Sequence, residues 1–107
     1  MRKFDVKTRW ATYRDCFLQV RRYADNNHVA LSVFSKEDGP IANITVNLDE
    51  MNYLPENFAY VDTNNFPEAE DVIRKLDIGV NIGIPARSGY CEYQLYAFNM
   101  KKLRKFA

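Results

Sequence analysis

The chain has no uninterrupted apolar run approaching the ~18 residues of a membrane-spanning helix. Met1 to Val6 is charged, with no apolar stretch behind it. Neither pattern suits a signal peptide, so the expectation is a soluble, cytoplasmic protein with no membrane partner. Histidine occurs once, as His28, and cysteine twice, as Cys16 and Cys91. Those three residues match no zinc signature in number or spacing, so no metal is expected. Cys16 or Cys91 with His28 is also the only available Cys/His nucleophile–base pair. Both cysteines fall inside strand patterns, where thiols usually serve as inert packing. Without a secretion signal they read as reduced thiols rather than a disulfide. Glycine is scarce, and Gly79, Gly83 and Gly89 lack the spacing of a phosphate loop or dinucleotide fingerprint. No cofactor and no catalytic residue is expected, and the chain reads as a non-enzyme.

What is present is enough for one real core. The 107 residues are 47% hydrophobic, with seven Phe and seven Tyr, which suits a single domain over residues 1–107 that needs no staple. A net charge of +1 hides an asymmetry. Residues 1–22 hold seven Lys/Arg against two Asp, and residues 100–107 hold four Lys/Arg and no acid. The stretch between holds four Lys/Arg against twelve acids. Basic ends flanking an acidic middle imply a bipolar surface.

Turn signals divide the chain at Asp25-Asn26-Asn27 and at Lys36-Glu37-Asp38-Gly39-Pro40. The runs beside them have period two. Cys16, Leu18 and Val20 share one face, as do Val29, Leu31 and Val33. Ala42, Ile44, Val46 and Leu48 form a third set, with Asn43, Thr45 and Asn47 facing out. This predicts a three-stranded antiparallel meander over 16–24, 28–35 and 41–48. The first run also has helical spacing at Trp10, Tyr13, Phe17, Val20 and Ala24, but two short turns favour a strand. Phe4 and Val6 suit a short strand before it, and Phe58 to Val61 another after a 49–57 loop. A helix is predicted over 66–76, capped by Asn65 with Glu68 completing a capping box and Gly79 suiting the stop. Ala69, Val72, Ile73 and Leu76 are its apolar stripe. Residues 79–90 read as a loop, Cys91 to Phe98 as a strand, and Asn99 as the cap of a short C-terminal helix. The fold class is α+β: an antiparallel β-sheet, a meander plus later strands, packed with one main helix.

Three groups of residues are candidates for binding. Asp62, Asn64 and Asn65 lie before the helix, and Arg87 and Ser88 lie before the last strand. They are expected either to clasp two loops together through Asp62 and Arg87 or to hold a small anionic ligand. Glu37, Asp38, Asp49 and Glu50 are the candidate protein interface, able to meet a basic channel. Arg9, Trp10, Arg14, Arg21, Arg22, Lys101, Lys102 and Arg104 mix cations with an aromatic, as nucleic-acid binders do.

The segments Ile44-Thr45-Val46-Asn47-Leu48, Leu54-Pro55, Ala59-Tyr60-Val61-Asp62-Thr63-Asn64-Asn65, Ser88-Gly89-Tyr90-Cys91 and Tyr93-Gln94-Leu95-Tyr96 resemble a family of small uncharacterised proteins from bacteria and their mobile elements, classed as a domain of unknown function. The resemblance covers roughly residues 16–98, with Gln94 where a proline would be expected. It implies no established activity. It implies an accessory role, such as an inhibitor of a host defence nuclease (anti-CRISPR or anti-restriction) that docks on the protein and occludes a nucleic-acid surface. The partner would then be a protein, a host nuclease or nucleoprotein, met by a monomer or small homo-oligomer. The alternative expectation is an RNA- or DNA-binding accessory protein using the basic ends.

Overall fold

The computed structural model describes residues 1–48 and 53–107. Its first sheet is a four-stranded antiparallel meander of β1 (Phe4–Lys7), β2 (Thr12–Arg22), β3 (Val29–Ser35) and β4 (Gly39–Asn43), in that spatial order. The register follows the sequence pattern: Leu18 lies opposite Val33 and Val20 opposite Leu31. One face of β2 and β3 therefore holds Cys16, Leu18, Val29, Leu31 and Val33, all buried. Asn27 takes left-handed backbone at the β2–β3 turn, and Gly39 does so at the β3–β4 turn, as the turn residues require.

The run 41–48 is not one strand. It breaks at Ile44, and β5 (Thr45–Val46) joins a second sheet, ordered β5, β6 (Phe58–Val61), β9 (Cys91–Phe98) and β7 (Gly79–Asn81). The Ile44 N–H donates to Leu31 O of the first sheet, while its carbonyl accepts from Asp62 N just beyond β6. One residue thus bonds to both sheets, a strand switch at a sheet corner. Alternation fails there: Ile44 and Thr45 are 0% and 4% exposed, so Thr45 does not face out. Its hydroxyl accepts from Leu31 N at 3.0 Å and meets Tyr23 Oη at 2.9 Å.

The predicted 79–90 loop carries β7 and β8 (Ala86–Ser88), both paired with β9. The main helix, α1 (Ala69–Leu76), buries Ala69, Val72, Ile73 and Leu76 as its spacing requires. Its ends differ from expectation. Asn65 does not cap it, because the Asn65 N–H and side-chain amide both donate to Asp62. Glu68 precedes the helix without capping it and accepts instead from Arg9 N. The stop is Asp77, left-handed at φ 54°, rather than Gly79. Gly79 is needed two residues later, where a Cβ would lie 3.0 Å from Phe98 and 3.3 Å from the Ala97 carbonyl.

The last helix, α2 (Met100–Leu103), is capped as expected by Asn99, whose side chain accepts from Lys102 N. A 3₁₀ turn over Arg104–Phe106 follows. Leu103 and Phe106 are buried, and the Phe106 ring meets Phe4 edge-on at 5.8 Å. One hydrophobic cluster runs from Phe4 through both sheets and α1 to Phe106. The architecture is α+β, with strands dominating. Among the described residues no helix is long and apolar enough to cross a membrane.

Candidate functional site

His28 and Cys16 are packing groups. His28 is buried, with Nδ1 2.9 Å from Phe58 O, tying β6 to the first sheet. Burial, reinforced by Asp5, pushes the Cys16 thiol up and disfavours the reactive thiolate. Cys91 is free and half-buried. Among the described residues no three His, Cys, Asp or Glu side chains gather as metal ligands would.

The expected clasp between Asp62 and Arg87 does not form. Asp62 is 5% exposed, and both its oxygens accept from Asn65 within one turn. Arg87 stands exposed on β8 opposite Glu92, and neither an ion pair nor a hydrogen bond joins it to Asp62. Asn64 and Ser88 are exposed, the latter opposite Cys91. The local turn hydrogen-bonds both oxygens of the buried carboxylate within three residues, without recruiting a distant arginine.

Two of the four acidic candidates fall among the described residues. Glu37 and Asp38 sit on the β3–β4 turn, where Asp38 exchanges hydrogen bonds with Ser35, and Glu37 shares a surface depression with Arg14 and Lys36. Asp49 and Glu50 lie outside the described residues.

The basic candidates divide. Arg14 pairs with Asp5 at 3.3 Å and Lys102 with Asp77 at 2.6 Å. Arg22 donates to the carbonyls of Asn27 and Glu56. Arg9 lies over the Trp10 ring at 5.9 Å. Lys101 and Arg104 stand exposed on the C-terminal segment, with no ion-pair partner among the described residues. Arg21 also has none, and it stands on a different surface.

That surface is the solvent-facing side of the first sheet. Residues of β2 and β3 between the core positions point there, in rows set by the register. Phe17 lies opposite Phe34, which lies opposite Pro40. Gln19 lies opposite Ser32, which lies opposite Asn43, and Arg21 lies opposite Ala30. The two phenylalanine rings stack at 6.0 Å, both half-buried, with Lys3 Nζ 5.8 Å over Phe17. Beside them is an open trough of about 430 Å³ that includes Gln19, Arg21, Ser32, Phe34 and Asn43, with no acidic residue among the described residues that line it. Asn43 Oδ1 accepts from Ser32 Oγ. Among the described residues neither the Asn43 NH₂ nor the Gln19 amide is used internally.

The trough can thus present an aromatic face, amide groups and cations together. Sequence reading passed over Phe17 and Phe34 because alternation was used only to find core positions. An aromatic at each of two outward positions was the available signal.

Neither a curated protein nor a solved structure matches the chain. One family does, over residues 17–107, a span from Phe17 in β2 to the end of the chain that includes the trough positions Gln19 to Asn43. It is described as a domain of unknown function (DUF4313), and the chain belongs to that family.

Proposed function

We propose that the protein binds single-stranded nucleic acid on the outer face of its first sheet, as an accessory binding protein rather than an enzyme. The observation that carries this reading is the stacked, half-buried Phe17–Phe34 pair, with Lys3 over Phe17 and Phe34 lining a trough that also holds Arg21 and no acid among the described residues. Bases offer π-faces that stack on such rings whatever their sequence, and phosphates need unpaired cations nearby. Gln19 and Asn43 add amide groups at the height of a stacked base's edge. A duplex, its bases closed in pairs, has no such face to offer.

The resemblance to mobile-element proteins suggests the other reading, an inhibitor that docks on a defence nuclease. That reading calls for a concentrated acidic face, and the depression around Glu37 mixes Asp15 with Arg14 and Lys36.

The test is a titration with dye-labelled single-stranded RNA and DNA and with a duplex of the same sequence. Single strands should bind, more weakly as salt rises, and the duplex should bind less well. Phe34→Ala should weaken binding about 5- to 150-fold, the equivalent of one lost stacking contact, with an unchanged circular dichroism spectrum. RNA binding tighter than DNA would assign the 2′-hydroxyl a contact. Failure of single strands to bind at low salt, or binding indifferent to Phe34, would overturn the reading and return attention to a protein partner.

A further inference from the structure

We infer that a strand seated in the trough continues over the edge strand β4 and places its next base on Trp10; this extends the trough reading above and rests on it. A second depression, of about 220 Å³, opens between the β1–β2 turn and the segment leading into α1. Its walls include Arg9, Trp10, Tyr13, Pro67 and Glu68. Ile41 and Ala42 of β4 line both this depression and the trough, so the two meet across a single edge strand. The β3–β4 register shifts beside Ile41, between Val33 and Phe34. Such an irregularity bends an edge strand and blunts it against pairing with another chain.

Trp10 is 86% exposed, so its indole contributes almost nothing to the core. Its backbone is nonetheless fixed. The Trp10 and Ala11 N–H groups both donate to Thr8 Oγ1, and Thr8 N–H donates to Ala11 O. The Arg9 N–H donates to Glu68 Oε1, which ties the turn to the helix entry. That bond also occupies an oxygen of Glu68, the only carboxylate among the described residues that line this groove. A large aromatic held on a pinned turn, with a guanidinium 5.9 Å from its ring, is a stacking platform with its own cation. Tyr13, half-buried on the wall, closes the side nearest the core.

The chain has one tryptophan, so emission excited selectively at tryptophan, beyond the absorption of its tyrosines, reports on Trp10 alone. The full-length protein is titrated with oligothymidylate and oligouridylate of about three and about eight nucleotides, lengths that straddle the lower end of single-strand site sizes. Binding is followed separately by anisotropy of a dye on the oligonucleotide and by Trp10 emission. The longer strands should quench Trp10 and the shorter ones should not. Trp10→Ala should cost the longer strand about 5- to 150-fold in affinity and leave the shorter one unchanged, whereas Phe34→Ala should weaken both. Long strands that bind in a Phe34-dependent way without quenching Trp10, or with undiminished affinity in Trp10→Ala, would overturn the extension and leave the trough standing. Absence of binding by either length at low salt would overturn the trough reading and the extension with it.

Discussion

Tyr96 shows how one polar group is held inside the core. It lies on β9, nearly buried, and its hydroxyl donates to Glu70 Oε2 of α1 at 2.8 Å. Burial first, and then the adjacent Glu70 carboxylate, push its pKa from 10.0 up to about 12. The sign follows from linkage. The unfolded tyrosine ionises near its ordinary value and the folded one later, so the stabilisation is complete below pH 10 and is lost as pH rises towards 12. Denaturant melts should therefore show stability falling across that window. Glu70→Gln should move the tyrosinate absorbance transition of Tyr96 to lower pH, because it removes the negative charge that opposes ionisation. An unchanged transition would mean that Glu70 contributes nothing to the shift. Asp62 offers the converse lesson. Its residue type was legible as a capping or clasping group, but which partner it would take was not. Several donors compete for one carboxylate, and Asn65, three residues on, took both its oxygens.

At the scale of elements, most of the fold was legible because its signals are local. Period-two alternation located β2 and β3, and the helical stripe located α1. Asn99 marked the start of α2 by its own chemistry. The sheet switch at Ile44 was not legible, because Ala42-Asn43-Ile44-Thr45-Val46 alternates perfectly for a single strand. Only the third dimension, in which Ile44 bonds to two sheets, buries Thr45 as well. For the same reason β7 and β8 looked like loop: each has three residues, and only β9 makes them strands. Thr45 supplies the test of this corner. Because β4 has ended at Asn43, the Thr45 hydroxyl takes the Leu31 N–H that a continuing strand would have bonded. Thr45→Val keeps shape and loses that acceptor, leaving a buried donor unpaired, and should cost about 1–3 kcal/mol in denaturant unfolding. Thr45→Ser keeps the hydroxyl and should cost less. A larger loss in Thr45→Ser than in Thr45→Val would show that the methyl group, not the hydrogen bond, holds the corner.

At the scale of the whole molecule, the basic ends that dominate the sequence do not form one surface. The C-terminal segment packs through Leu103 and Phe106, and Phe106 meets Phe4, which points into the core from β1. The segment therefore packs towards the core side of the first sheet, and none of its cations lines the trough on that sheet's outer face. Deleting residues 100–107 would be an unsafe test of their role, because it removes two buried side chains. Each such loss costs about 2–5 kcal/mol in a core, against a total stability of roughly 5–15 kcal/mol for a domain. Point neutralisation keeps the core and changes only charge. For single strands, log affinity falls with log salt at about 0.7 per phosphate neutralised. Arg21→Gln should then flatten the measured slope by about 0.7 and weaken binding across all sequences alike. Lys101→Gln with Arg104→Gln should leave slope and affinity unchanged, although it removes twice the charge. The comparison separates a bound phosphate from a general attraction, since a diffuse field would respond most to the variant that loses more charge. A slope lowered by the C-terminal pair and not by Arg21→Gln would move the contact from the trough to the C-terminal segment.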